Sequence, residues 1–180
     1  MSIRMLILVG LGVVLIGCNT EAYVPLEQLK FESERKLFEE HLKEAQRTST
    51  ELEIERVKLN IRRFLKHDNH TTSLWYGEIT ALDLQSMDYL KVRTRFRAQE
   101  YNLVIVDPLV VSHFSMLENG DIIYFSGTLG AEQSITIANS IKYPQFTLIP
   151  SLVVVGPDRY PLIQSPEAIE NHKIKMVKKC

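Results

Sequence analysis

Apolar positions between Leu26 and about Lys66 recur at helical spacing. Leu37, Phe38, Leu42 and Ala45 keep that spacing, and Ile54, Val57, Ile61 and Phe64 with Leu65 make one stripe. The stretch has no glycine and, after Pro25, no proline, and Glu, Lys, Arg and Leu dominate it. Glu32–Lys36 and Glu39–Lys43 stand at the i,i+4 spacing that supports a helix. Thr48-Ser49-Thr50 interrupts the pattern, and either Thr48 with Glu51 or Thr50 with Glu53 reads as a capping box. The expectation is two helices, or one helix of roughly 60 Å with a weak point near Ser49. His67-Asp68-Asn69-His70 closes this charged helical arm, assigned to residues 26–70.

From Ser73 the period changes to two. Trp75, Gly77, Ile79 and Ala81 alternate with polar positions, and Leu90, Val92, Thr94 and Phe96 do so within Tyr89 to Arg97. Tyr101 to Val106 and Leu109 to Phe114 are apolar runs divided by Asp107-Pro108 and read as strands. Asn119-Gly120-Asp121 is a turn before the strand Ile122 to Ser126. Ser134 to Ala138 and Phe146 to Val155 supply further strands. Short strands at this spacing predict a small antiparallel barrel or sandwich over 71–156. Pro157, Pro161 and Pro166 make 157–180 an irregular tail, with room for a short helix near Glu167 to His172. The fold class expected is therefore α+β.

One apolar segment fits neither part. Met5 to Ile16 are twelve uncharged residues after Arg4, and Leu15-Ile16-Gly17-Cys18 follows directly. As a helix this run spans about 18 Å, well short of the ~30 Å of a bilayer core. It reads as a secretory leader rather than a membrane span. Leu15-Ile16-Gly17-Cys18 resembles the lipobox of bacterial lipoprotein precursors. That resemblance implies a signal peptide over 1–17, lipidation (palmitate among the acyl chains) of Cys18, and a lipidated tether over 18–25. Two or three acyl chains make a stable membrane anchor where one does not. Asn19, in place of an Asp after the lipidated Cys, resembles outer-membrane-sorted lipoproteins and implies a cell-envelope position facing the periplasm.

Removing the leader takes only Arg4 among charged residues and leaves 20 basic against 22 acidic side chains. That balance does not call for nucleic acid. Lipidation would consume Cys18 and leave Cys180 alone, so no disulfide framework is expected. Cys180 then reads as a terminal thiol, or as one half of an intermolecular bridge.

The β region resembles OB-fold domains of bacterial envelope proteins. The residues that carry the likeness are Trp75-Tyr76-Gly77-Glu78-Ile79, the strand to Arg97, and Gly120-Asp121-Ile122-Ile123-Tyr124-Phe125-Ser126-Gly127. It implies a small OB-like barrel and no particular function.

Catalytic signatures are sparse. Ser126 precedes Gly127, but Tyr124 and Thr128 stand where a nucleophile elbow needs glycine. His67 and His70 have a metal-ligand spacing without an evident third ligand, and cationic histidines also suit a helix C-terminus. Asp107 and His113 form an acid–base pair only if folding joins them, and a turn explains Asp107 alone. The expectation is no enzyme, no cofactor and no metal. Lys91, Arg93, Arg95 and Arg97 share one face of a strand, roughly 7 Å apart. They form either an interaction face for an anionic ligand or a solvated face that discourages edge pairing.

These features point to a non-enzymatic envelope lipoprotein that binds another envelope protein as an assembly or accessory component, with the helical arm as spacer or partner helix. Two alternatives remain: an OB-like module holding lipopolysaccharide or nucleic acid on the basic strand, and a lipoprotein protecting against an envelope-acting toxin.

Overall fold

The computed structural model describes residues 23–65, 70–131, 141, 145–156 and 160–177. The lipobox with Cys18, His67, the expected strand Ser134 to Ala138 and Cys180 lie outside the described residues. The elements are α1 (Leu26–Thr48), α2 (Glu51–Leu65), β1 (Thr71–Ser86), β2 (Tyr89–Phe96), β3 (Gln99–Ile105) and α3 (Pro108–Phe114). They continue with β4 (Ile122–Thr128), β5 (Gly130–Ala131), β6 (Gln145–Leu148), β7 (Leu152–Val155), β8 (Tyr160–Ile163) and α4 (Pro166–Val177). The protein is α+β.

The charged N-terminal region forms two helices. The break falls at Ser49-Thr50, and the Thr50 N–H donates to Glu53 Oε2 at 3.2 Å, the back half of a capping box. Lys36–Glu32 and Lys43–Glu39 form the expected pairs at 3.4 and 2.7 Å. The two helices fold back on each other and do not extend as a rod. Phe38 and Phe64 lie 4.9 Å apart between ring centres. Leu42, Ile61 and Ile141 form a small buried cluster. The hairpin also docks on the β domain, because Phe31 of α1 packs against Trp75 of β1 and Phe146 of β6.

Among the described residues the strands form one sheet in the order β5-β6-β3-β2-β1-β4-β7-β8, and its hydrogen bonding is not closed. β1, β2 and β3 form an antiparallel meander, β1 also pairs with β4, and β4 with β7. β3 and β6 are parallel, from Glu100↔Gln145 to Leu103↔Leu148. The sheet is thus mixed, which corrects the antiparallel expectation. A parallel pair needs a long crossover, and α3, β4 and β5 lie within the chain between β3 and β6. β4 and β5 are one run broken only at Leu129, yet they pair with different neighbours, β1 and β6.

One-sided burial explains the alternation. Leu90, Val92, Thr94 and Phe96 are buried on β2, and Trp75, Gly77 and Ile79 on β1. Gly77 is required by a close approach: a Cβ there would come within 2.7 Å of Thr94 Oγ1. The main core joins Val92, Leu103, Ile105, Ile123, Phe125 and Val153 with Val110, Val111 and Phe114 of α3.

Two other expectations change. Leu109 to Phe114 is helical, not extended. Asp107 caps its start by accepting the Leu109 N–H at 3.0 Å, and Pro108 occupies the first turn. The proline-rich end is not irregular throughout, since Tyr160–Ile163 forms β8 and Pro166–Val177 forms α4. Gln164 fastens their junction. Its Oε1 accepts the Val106 N–H at 2.6 Å, and its Nε2 donates to the Pro150 carbonyl at 2.6 Å. Pro161 is tolerated because β8 is the outermost strand.

Candidate functional site

The basic strand was the most conspicuous chemical signal in the sequence. Period-two geometry places Lys91, Arg93 and Arg95 on the face opposite the buried side of β2, with both arginines exposed. Arg97 does not join them. β2 ends at Phe96, and Arg97 enters the following turn with a φ of 54°. For an L-residue that conformation costs on the order of 1 kcal/mol. The Arg97 guanidinium binds Glu32 of α1, and it lies 5.1 Å from the Phe96 ring centre. The expected row of four is therefore a row of three.

Acidic neighbours flank that row. Lys91 lies opposite Asp83 on β1, and Arg95 lies opposite both Glu78 on β1 and Glu100 on β3. Directly opposite residues have Cβ atoms about 4.5–5.5 Å apart, so these carboxylates share the field of the cations. Arg93 faces Ala81 and Asn102 and has no carboxylate directly opposite. The face is mixed in sign, as a solvated strand face is.

The polar cluster that sequence reasoning missed is buried. Gln28, Glu32 and Arg35 follow one another at i, i+4 and i+7 on α1, and none is more than 2% exposed. Gln28 behaves as a strand partner: its Nε2 donates to the Tyr76 carbonyl and its Oε1 accepts the Tyr76 N–H, at 2.7 and 2.8 Å. Arg35 donates to the Ile141 carbonyl at 2.7 Å and to Glu39 at 3.2 Å. Beneath them the Tyr101 hydroxyl donates to Gln99 Oε1. Burial is the main reason the Tyr101 phenol is pushed well above its ordinary range, and Glu32 adds to the shift. A charged helix normally shows such residues to water. The available signal was their shared stripe with Phe31, Leu42 and Ala45, all buried.

The other candidates serve structure. His70 sits against the Phe31 and Phe64 rings, 4.8 and 5.5 Å between centres, with Nε2 3.0 Å from the Phe64 carbonyl. Among the described residues no three His, Cys, Asp or Glu side chains are grouped to hold a metal ion. Asp107 uses one carboxylate oxygen on Leu109 N–H and the other on Ser165 N–H at 2.9 Å. His113 is exposed, with its ring 6.4 Å from that of Tyr160.

The Ser165 N–H, followed by that of Leu109, holds the Asp107 carboxyl below its usual range. A depressed carboxyl stabilises the fold above its unfolded pKa of ~3.9 and stops doing so as pH falls through the lower folded value. Asp107→Ala is expected to cost ~1–2 kcal/mol at neutral pH. Urea titrations of both proteins across acid pH check this, and the difference should shrink below about pH 4. A difference that stays constant into acid would assign the loss to packing.

Two surface grooves lie outside these clusters. One, of about 480 Å³, lies between the helices, with Leu37, Phe38 and Phe64 rimmed by Glu34, Asn60 and Arg63. The other, of about 510 Å³, lies between the β1–β2 hairpin and α3. No described protein family matches the chain, and no curated protein is similar to it.

Proposed function

We propose that this protein is a bacterial envelope lipoprotein, held to a membrane by lipid on Cys18, that binds another envelope protein without catalysing a reaction. Leu15-Ile16-Gly17-Cys18 supports the anchor, and Asn19 supports outer-membrane sorting. No helix among the described residues is long and apolar enough to cross a membrane. An OB-like arrangement is favoured for the β domain. Its support is the β1-β2-β3 meander, a helix between β3 and β4, the parallel β3–β6 pair, and the continuity of β4 with β5.

The observation that carries the binding role is the groove between α1 and α2. It has an apolar floor and a charged rim, and it opens outward from a hairpin whose inner face is fixed to the β domain. Such a patch on a rigid support is what a protein partner needs. The basic-strand reading, with lipopolysaccharide or nucleic acid as ligand, has exposed Arg93 in its favour and Glu78, Asp83 and Glu100 against it. Protection against an envelope-acting toxin is one form of the same binding role.

Crosslinking the full-length protein in intact cells tests this reading. One stoichiometric envelope protein is expected with the wild type. Its capture should fall roughly tenfold with Leu37→Asp and Arg63→Glu, the loss of a central anchor. Loss on reversing Lys91, Arg93 and Arg95 instead would favour the second reading. Palmitate labelling is expected to vanish in Cys18→Ala, and unchanged labelling would remove the anchor.

A further inference from the structure

The helical hairpin has an outer face that the β domain does not cover. α1 turns Gln28, Glu32 and Arg35 toward the β domain. On its opposite side Glu34, Leu37, His41 and Glu44 follow one another at offsets of three and four. Leu52, Arg56, Leu59 and Arg63 do the same along α2. All of these residues are exposed. Leu37 is 51%, Leu52 81% and Leu59 44% exposed, a large apolar content for the outer side of a charged hairpin.

The charges on this face are divided between the two helices. α1 contributes Glu34 and Glu44, whereas α2 contributes Arg56 and Arg63. From Arg56 to Leu65, α2 has four basic residues and no acidic one. Glu53, at the start of α2, is held at the Thr50 cap. Among the described residues Glu34, Arg56 and Arg63 take part in no ion pair. Glu44 holds Arg47 at 3.1 Å, an exposed pair of the kind that contributes little.

Acid and base stand at matching heights. Phe38 against Phe64 sets the level of one helix on the other. Glu44 then lies about 9 Å above Phe38, and Arg56 about 12 Å above Phe64. Glu34 and Arg63 line the same groove. Lys30 lies about 12 Å below Phe38, past the end of α2 at Leu65. A second hairpin, rotated by half a turn about an axis parallel to the helices, lays its α2 antiparallel on the first copy's α1. Glu44 then meets Arg56 and Glu34 meets Arg63, twice over. An axis across the helices would instead stack α1 on α1, acid on acid. The parallel axis also leaves both Leu26 ends on one side, so that two tethers from Cys18 enter the same membrane.

We propose that the occupant of this face is a second copy of the chain, and that two hairpins close into an antiparallel four-helix bundle. The proposal rests on the reading of the α1–α2 groove as a docking site and names what docks there. Leu37, Leu52 and Leu59 leave water in the bundle. The crossed acid–base contacts fix its register and exclude the α1-on-α1 alternative. A face about 22 Å long and 18–20 Å wide offers ~400 Å² per copy, about half of a standard interface. Tethering both copies to one membrane raises their effective concentration enough for a contact of that size.

Two differently tagged copies of the full-length protein, co-expressed and crosslinked in intact cells, provide the test. One wild-type copy is expected to capture the other. An acid-reversed variant, Glu34→Arg with Glu44→Arg, should lose self-capture roughly tenfold or more. A base-reversed variant, Arg56→Glu with Arg63→Glu, should lose it to a similar degree. Co-expressing the acid-reversed with the base-reversed form should restore capture, because every contact again joins opposite charges. That recovery also shows that both variants are folded. Absence of wild-type self-capture, undiminished self-capture by either variant, or no recovery in the mixed pair overturns the proposal. Capture of a different envelope protein without self-capture would also overturn it, while leaving the binding reading standing. Capture of no protein at all would remove both.

Discussion

Phe31→Ala is expected to destabilise the protein by roughly 3–5 kcal/mol and to release the helical hairpin before the sheet unfolds. Phe31 is buried, and its ring lies 4.8–5.5 Å from those of Phe64, His70, Trp75 and Phe146. One side chain therefore joins α1 to α2, β1 and β6. Truncation removes apolar burial and leaves a cavity that these rings cannot all move to fill. Each lost aromatic pair adds about 0.5–1.5 kcal/mol in its own right. Urea unfolding should be read by far-ultraviolet circular dichroism, which follows the helices, and by amide hydrogen exchange of β2 and β4, which reports the sheet. Coincident transitions are expected in the wild type. In the variant the helical signal should be lost first. A cost under about 1 kcal/mol with an unchanged sheet transition would make the hairpin an independent spacer.

That result bears on the largest difference between pattern and structure. The helices were readable because apolar residues at offsets of three and four line up on one side only when the chain is helical, although Leu37 of α1 stays 51% exposed. The docking was not, because half of the face that α1 buries is polar. Gln28, Glu32 and Arg35 look solvated until Tyr76, Arg97 and Ile141 supply their partners. Those partners are 48 to 106 residues away in the chain, beyond the reach of any periodicity.

The β region shows the same division. β1 and β2 were visible because each buries one face. The expected turn at Asn119-Gly120 is present, and Gly120 has a φ of 98°. Leu109 to Phe114 misled because β-branched residues favour strands, although Asp107-Pro108 is a sound helix-start signal. The parallel register of β3 and β6 had no local signature at all. For the site, Lys91, Arg93 and Arg95 were placed on one face correctly, but their neutralising neighbours depended on strand pairing. The grooves combine elements distant in sequence, so their residues could be named only after folding.

Arg35→Ala is expected to be about as costly as loss of Phe31, roughly 3–5 kcal/mol, through a different route. Its side chain is 2% exposed, so the aliphatic stem and the guanidinium are both taken out of water. Alanine removes the stem's packing and opens a cavity. It also leaves the Ile141 carbonyl without the donor now at 2.7 Å, a penalty of about 1–3 kcal/mol for a buried acceptor. Glu39 fares better, because it keeps Lys43 at 2.7 Å and is partly open to solvent. Glu32, only 3% exposed, loses a nearby positive charge and depends more on Arg97 and Lys36. Arg35→Met separates these effects by keeping an unbranched stem while removing the charge and the donors. It is expected to cost ~1–3 kcal/mol, the penalty of the orphaned carbonyl. Both losses should be nearly independent of salt, since buried charges are screened far less than surface ones. Equal costs for Met and Ala would assign the stabilisation to hydrogen bonding alone. Costs under about 1 kcal/mol for both would mean that α1 is held by Phe31 and its apolar neighbours, with the polar stripe adding no net stability.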